Sequence, residues 1–554
     1  MNPVLGREAF LTLLADEGVT HLFGNPGTTE LPIMAALSQQ SSIDYVLGLQ
    51  ESIVVAMADG YSRASGQLSA CNVHVAPGLG NAMGSLFNAY WVGSPVIVTA
   101  GQQEQGHGLT EPLLYGPMLA MAEPVSKWAV EVTRLEDLPR IVHRAATIAT
   151  TPPTGPVFIS LPGDILNSEA ALDFGAPTRV DTSTCPSASS LAALAKQLAS
   201  AERPVIIAGH DLVQADALAE AAELAQNLSA AVYQQTVVHG ATFYSEHECY
   251  MGGLSRSQAK VRKILDEFDT ALFLGADVLR MSVHSDIEPL PPQLKVLQIS
   301  ERPAELGKNY PTHTAIQANV RETIKALIPA VVTAIENSGI DQRLQARKEN
   351  LRRNNWQAQR RSLVASIEEK LDSRDGNIDN DYLMLEISRQ LPADVVVVDE
   401  ALTASMNLPA LFPYRDAKSY FGLASGGIGF AMAGVIGMQL AQPQRPHVAV
   451  IGDGSSMYSI QALWTAANMK LPITYVIANN GGYQIIKDRL RQLAANAAYI
   501  GMDFDEPPID FVQLAQSMGV KSAAVGHTAE LGDALQTAIK SNKTWLLDVR
   551  LQVK

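Results

Sequence analysis

A chain of 554 residues, 47% hydrophobic and 18% charged, exceeds what one hydrophobic core can organise, so about three domains are expected. Its formal net charge of -15 argues against nucleic acid or an anionic membrane surface as the main partner, because both demand basic patches. That charge leaves small molecules as the expected ligands, and three cysteines, Cys71, Cys185 and Cys249, an odd set too few for a disulfide framework, point to a reducing, cytoplasmic setting.

The chain opens with MNPVLGREAFLTLLADEG, where apolar residues at helical spacing are interleaved with charges. A secretory signal would run basic and then apolar, so this stretch reads as a folded helix. After GNPGTTELP, the run VLGLQESIVVAMADGY predicts an apolar helix with Glu51 at its start. The helix dipole alone would favour an acidic residue there. A carboxyl so placed is also shielded from water, which suits proton sharing. Next, CNVHVAPGLGNAMGSLFNAYWVGSPVIVTAGQQ reads as strand, glycine turn, helix of about four turns, proline, strand and polar loop. GPVFISLP adds a strand, and residues 174–190, FGAPTRVDTSTCPSASS, have the Ser, Thr and Pro content of a linker.

Beyond the linker, RPVIIAG, TALFLGAD and LKVLQIS are further apolar strands. Residues 336–380 hold QRLQARKENLRRNNWQAQRRS and then SRDGNIDND, a charged helix followed by a polar turn. In so acidic a chain, its basic clusters read as a solvated connecting helix rather than a nucleic-acid site. DVVVVDE, HVAV and TYVIAN are the remaining strands, and the apolar run GIGFAMAGVIGMQLA is shorter than the roughly 18 residues of a membrane span. Apolar strands alternating with helices predict an α/β chain of doubly wound parallel sheets buried on both faces, in three domains near 1–180, 181–340 and 365–554.

The third domain repeats the β-α-β pattern of the first as VAVIGDGSSMYSIQALWTAANMKLPITYVIANNGGY. A dinucleotide site would want G-x-G-x-x-G, but GLGNAMG spaces its last glycine wrongly and GDGSSM lacks a third. A metal site fits better: Asp453 ends one strand and Asn480 the next, so on neighbouring strands both become oxygen donors at one point. Mg²⁺ prefers such oxygens and commonly completes its shell with phosphate. The helix that begins after Gly454 points free N–H groups at the same place, where an anion is favoured. Two ordinary turns would explain each piece separately but not their spacing.

The pairing of GDG with NNGGY, together with GNPGTTELP, GLQESIVVAMADGYSRASG and HVAPGLGNAMG, resembles the decarboxylase and acetolactate synthase superfamily of thiamine diphosphate enzymes, and within it the benzoylformate decarboxylases. The likeness covers nearly the whole chain. It implies metal ligation of Mg²⁺ by Asp453, Asn480 and the carbonyl of Gly482, a diphosphate facing Gly454, Ser455 and Thr403, and Tyr483 beside it. It further implies that ASGGIGFA cups the aminopyrimidine, with Gly426 offering its carbonyl and Ile428 wedging the cofactor into a bent form. Glu51 would sit against the pyrimidine ring, His74 would do general acid/base work, and Thr28 would bond the substrate carboxylate where relatives carry serine.

Two departures bear on substrate. Where benzoylformate decarboxylases carry a second histidine, GADVLRMSVHSD gives Ser282, with His284 two positions later; and where they present an aromatic pocket wall, this chain offers Ile485 and Arg489. Arg489 either pairs with a polar substrate group or lies on a solvated helix face. The middle domain resembles the family's nucleotide-type domain, with no feature calling for FAD. The implied protein decarboxylates a benzoylformate-like 2-oxo acid as a homodimer at least, commonly a homotetramer, because the family builds its site from two chains. The alternatives are a carboligase of acetolactate synthase type and a nucleotide-binding α/β protein without thiamine chemistry.

Overall fold

The computed structural model describes residues 2–39, 42–282, 284–371 and 375–552. It divides into two compact units, one of Met1–Asp181, Val397–Thr403 and Leu423–Lys554, the other of Thr182–Val396 and Ala404–Gly422. The chain is α/β with parallel sheets, and every apolar run read as a strand in the sequence lies in one, whereas GIGFAMAGVIGMQLA runs into the helix Ala431–Ala441.

In the first unit the amino-terminal sheet has the strand order Asp44–Leu47, His21–Gly24, Ser69–Val73, Val96–Gln102, Val157–Pro162, Ala129–Glu131, with all neighbours parallel. Its central strands Val96–Gln102 and Val157–Pro162 are buried along their whole length, which is why they read as unbroken apolar runs. A second sheet runs Val396–Glu400, His447–Gly452, Ile473–Asn479, Trp545–Arg550, Lys521–Val525. His447–Gly452 and Ile473–Asn479 are parallel neighbours, so their carboxyl ends, and the residues that follow them, meet.

Two helices join these layers. Glu51–Ser65 starts where Gln50 takes an extended conformation and its side chain accepts the Ser52 N–H, and it stops at Gly66, φ 74°. Its flank lies directly on Ala431–Ala441: a Cβ added to Gly60 would fall 2.1 Å from the Gly434 carbonyl oxygen, and one on Gly437 only 1.9 Å from that of Met57. Only glycine permits so close an approach of the two backbones, and it ties the element that starts with Glu51 to the carboxyl-terminal part of the chain.

The second unit holds a parallel sheet ordered Tyr250–Gly253, Ala231–Gln234, Pro204–Ala208, Thr270–Leu274, Lys295–Ser300, Thr314–Gln317. The single charged helix expected after it is two, Asp341–Asn354 and Trp356–Glu369. The chain breaks at Asn355, whose ψ is 170° and whose side-chain oxygen caps the second helix at Ala358 N, 3.1 Å. Of the polar turn that follows, residues 372–374 lie outside the described residues. The Ser, Thr and Pro-rich linker runs without helix or strand up to Ser187, and its last residues begin the helix Ala188–Ser200.

Cys71 and Cys249 are buried and Cys185 is exposed, all as free thiols. No described helix is long and apolar enough to cross a membrane.

His447, buried at the start of its strand, donates from Nδ1 to the Arg445 carbonyl, 2.9 Å, and burial holds its imidazole down to about 4. Between the ordinary value of 6.5 and that lowered one, the unfolded chain takes up a proton the folded chain refuses, so stability falls as pH falls across this window. On lowering pH from 7 to 4.5, urea unfolding is expected to show wild type losing about 2 to 3 kcal/mol more than His447→Gln. Equal losses would contradict this burial.

Candidate active site

The first cluster gathers at the carboxyl edge of the amino-terminal sheet. Strand Ser69–Val73 delivers His74, and the next residue, Val75, sits at φ 47°. A β-branched side chain in that left-handed region costs of order 1–3 kcal/mol and marks a spot where the chain is held in place. The holding group is Glu30, 1% exposed, whose carboxylate accepts from four donors: Gly27 N at 2.9 Å, Gly101 N at 3.0 Å, the Thr29 hydroxyl at 2.8 Å and His74 Nδ1 at 2.7 Å. The surrounding bonds thus assign the proton on this ring to Nδ1. Nε2 has no partner among the described residues and is left for a ligand. Gly27 is required here, because a Cβ on it would lie 2.1 Å from His74 Nδ1. Glu30 and burial together push the Tyr45 phenol up, burial contributing most.

Glu51 begins its helix as expected and is 7% exposed. Asn81, on the helix Val75–Val92 that His74 introduces, donates its amide to Glu51 Oε2 at 3.0 Å. Thr28 is exposed at the start of the 3-10 turn Thr28–Glu30 and lines a cavity of about 350 Å³ with Thr29, Gln102, Gln103 and His107.

The second cluster follows strands His447–Gly452 and Ile473–Asn479. Asp453, 3% exposed, accepts from Gly454 N at 2.7 Å and from Gly482 N at 2.9 Å. The same Gly482 N–H also reaches Asn480 Oδ1, 3.3 Å. Two side-chain oxygens that share one N–H face one point. Burial raises the Asp453 pKa, with the backbone N–H groups of Gly454, Gly482, Gly481 and Asn480 opposing it. No basic side chain pairs with Asp453 among the described residues. A buried carboxylate with amide support, an oxygen neighbour and no countercharge fits a divalent cation. Among the described residues no group of three or more His, Cys, Asp or Glu could hold a metal, which is consistent with a ligand set that has a single carboxylate. The Gly482 carbonyl accepts from Gln484 N at 3.0 Å and keeps a second lone pair.

Gly454 and Ser455 are buried in the short helix Asp453–Ser456. The single longer helix expected after GDGSS is instead Asp453–Ser456 and Ala462–Asn468. Between them the Ser456 and Ser459 hydroxyls bond the carbonyls of Asp453 and Gly429, each 2.7 Å, in competition with helical bonding. Tyr483 packs edge-on to Phe504 at 4.8 Å, and its phenol pKa is raised, chiefly by burial. Ile485 is half-buried and Arg489 exposed on the helix Gln484–Leu493. Thr403 is half-buried in the turn after Val396–Glu400.

The loop Ser425–Gly429 turns with Gly426 at φ 82° and Gly429 at φ 108°, leaving Gly426 exposed and Ile428 half-exposed. Glu400, 2% exposed, accepts from the backbone N–H of Gly429 and of Ala431. Burial pushes this carboxyl up to about 7 against the pull of those amides. Ser282 belongs to the second unit, exposed, with its N–H on the Arg256 carbonyl, 3.4 Å. His284 there is exposed, 3.9 Å from Asp286, while residue 283 between them lies outside the described residues.

Sequence reasoning missed Glu30, Asn81 and Glu400. Glu30 stands three residues after Gly27, at the spacing of a capping box, which was a readable signal. Glu400, closing an apolar strand, gave none.

Family models match three stretches: the N-terminal TPP binding domain of thiamine pyrophosphate enzymes over residues 5–113, the central domain over 191–327 and the C-terminal TPP binding domain over 403–549. The benzoylformate decarboxylase of Pseudomonas aeruginosa is 31% identical over 551 residues, covering 99% of this chain and 98% of that one. A probable acetolactate synthase large subunit of Methanocaldococcus jannaschii is 27% identical, covering 98% and 91%. Among solved structures, the thiamine diphosphate-dependent 4-hydroxybenzoylformate decarboxylase of Rhodococcus jostii RHA1 superposes with a TM-score of 0.86 at 29% identity over 100% of both chains. The benzoylformate decarboxylase of Polynucleobacter necessarius does so with a TM-score of 0.86 at 26% identity over 99% of both.

Replacing Glu30 by Ala would strand the buried Gly101 N–H and the imidazole Nδ1–H. Each unsatisfied group costs about 1–3 kcal/mol, so a loss of at least about 2 kcal/mol in denaturant unfolding is expected, against a neutral result if Glu30 were an incidental surface acid.

Proposed function

The chain belongs to the thiamine pyrophosphate enzyme family, and on that premise we propose that it decarboxylates a benzoylformate-like 2-oxo acid to an aldehyde and CO₂, with thiamine diphosphate and Mg²⁺. The full-length likeness to benzoylformate decarboxylases supports the reaction class. The observation that carries the release of a free aldehyde is His74, tied through Nδ1 to the buried Glu30 and open at Nε2. Release of an aldehyde requires a proton at carbon, and a fixed imidazole with one open nitrogen is a group that can deliver it.

When bound, thiamine diphosphate supplies the electron sink for the pair left behind by CO₂. In our reading Asp453, Asn480 and the Gly482 carbonyl hold Mg²⁺, while Gly454, Ser455 and Thr403 face the diphosphate and Tyr483 flanks it. The Gly426 carbonyl and Ile428 hold the pyrimidine. Glu51, its carboxyl oriented by Asn81, would face the pyrimidine ring and hold the proton that the ring's acid–base chemistry needs. Thr28 donates its hydroxyl to the substrate carboxylate, and His74 moves protons at Nε2. Ile485 and Arg489 border the rest of the substrate, and Ser282 takes the register position of the second histidine.

A second reading, carboligation to a hydroxyketone, is supported by the acetolactate synthase relatives and by serine at position 282, a poor acid for protonating carbon. The protein works as a homodimer at least, and as a homotetramer in our reading. Support comes from Phe87 and Tyr90, each 41% exposed on one helix face, and from Leu109 and Leu113, 97% and 85% exposed in the loop beyond. We place it in the cytoplasm, consistent with its free thiols. No flavin is needed in the middle domain. At the carboxyl edge of that sheet Arg302 pairs with Asp211 at 3.1 Å and with Asp277 at 2.9 Å.

The test is product analysis with benzoylformate, 4-hydroxybenzoylformate and branched or acidic 2-oxo acids. CO₂ with free aldehyde supports the lyase, and a hydroxyketone supports the ligase. Glu51→Gln is expected to keep the fold and lower kcat roughly 100-fold or more; wild-type turnover would refute its role. Thiamine diphosphate with Mg²⁺ at about 100 times Kd should stabilise wild type by about 2.7 kcal/mol and leave Asp453→Ala unmoved, whereas equal stabilisation would refute the metal assignment.

A further inference from the structure

The loop ASGGIGFA is fastened at both ends to buried side chains that no motif in the sequence points to. At its start stands Asn88, 3% exposed, on the helix Val75–Val92. Its Nδ2 donates to Asp59 Oδ2 at 2.9 Å, and the other carboxylate oxygen of Asp59 takes the Ser94 hydroxyl at 2.5 Å. Backbone N–H groups donate and do not accept, so the Asn88 atom that meets those of the loop must be Oδ1, and Nδ2 is the one turned to Asp59. Asn88 Oδ1 receives Ala424 N at 3.4 Å, Ser425 N at 3.3 Å and the Ser425 hydroxyl at 3.1 Å. The Ser425 oxygen in turn takes Gly427 N at 3.2 Å.

At the other end Glu400 accepts the N–H groups of Gly429 and Ala431, and the Ser459 hydroxyl bonds the Gly429 carbonyl at 2.7 Å. The Arg63 guanidinium lies over the Phe430 ring, 4.8 Å from its centre. Gly426 and Gly427 between these anchors are exposed. A stretch with glycine at three of its five positions, 425–429, would sample many conformations if left alone. Fastening it beforehand moves the entropy of ordering from binding to folding.

We propose that Asn88, oriented by Asp59, and Glu400 are positioning residues that preset the Ser425–Gly429 arch, so that the Gly426 carbonyl and Ile428 meet the aminopyrimidine of thiamine diphosphate without rearrangement. This rests on the thiamine diphosphate reading above. Neither residue is assigned contact with substrate or cofactor, so their loss falls on cofactor affinity more than on turnover at saturation.

The experiment uses the full-length protein with Mg²⁺. In the cofactor-free protein, hydrogen exchange in Asn88→Ala should quicken at Ala424 and Ser425 and stay slow at Gly429–Ala431, and in Glu400→Gln the pattern should reverse. Thiamine diphosphate titration by circular dichroism should show Kd raised at least tenfold in each, with a smaller loss of kcat at saturating cofactor. Should Asn88→Ala fail to fold, Ser425→Ala, which removes the hydroxyl bonds and spares the two backbone ones, should raise Kd about threefold. Unchanged exchange and Kd in the variants, beside a wild type that binds, overturn the proposal alone. A wild type with no Mg²⁺-dependent binding overturns the reading of the site and the proposal with it, while exchange still reports whether the arch is clamped.

Discussion

A buried carboxylate, Asp453, with no basic side chain paired to it among the described residues is the constraint around which this site is arranged. Asp453 lies at the carboxyl end of a strand inside a parallel sheet, where burial disfavours its charge and only backbone N–H groups relieve it. Asn480 adds a second oxygen to the same point because its strand is the next one in register. An arrangement so deficient in positive charge has its natural complement in a divalent ion bearing phosphate oxygens, and the N–H groups of the short helix after Gly454 favour that anion. The pyrimidine end of the cofactor, the proton chemistry and the substrate contact are all assigned relative to that anchor.

The amino-terminal cluster is also built from polar groups that are each fixed by several partners. Glu30 is held by four donors and in turn fixes His74, and the strained backbone at Val75 shows that the surrounding bonds decide where the imidazole goes. Asn81 orients Glu51, and Asn88 and Glu400 fasten the glycine arch. Catalysis of this kind depends on groups that need not reorganise when charge shifts, and these supports supply that rigidity.

Much of this was legible in the sequence. The buried central strands, such as PVIVTAG and GPVFISLP, could be read because both faces are covered and the apolar run is unbroken. The edge strands Lys521–Val525 and Thr314–Gln317 could not, since one face meets solvent and the run is short and mixed. Asp453, Asn480 and Glu51 stood out because glycine turns and strand ends bracket them. Asn88 and Glu400 did not, because their partners lie distant in sequence, and Glu30 showed only its capping-box spacing from Gly27, not its bonds to Gly101 and His74. The two helix breaks, at Asn355 and between Ser456 and Ala462, arise from side chains capturing backbone groups, which periodicity cannot foresee.

The central claim is that Asp453 and Asn480 grip one cation. The direct measurement is diffraction at the manganese edge from crystals grown with Mn²⁺ and thiamine diphosphate. A single anomalous peak bonded to the Asp453 carboxylate and the Asn480 side-chain oxygen, with diphosphate oxygens completing its shell, is the expected result. A cofactor bound with no metal between these two side chains would contradict the account.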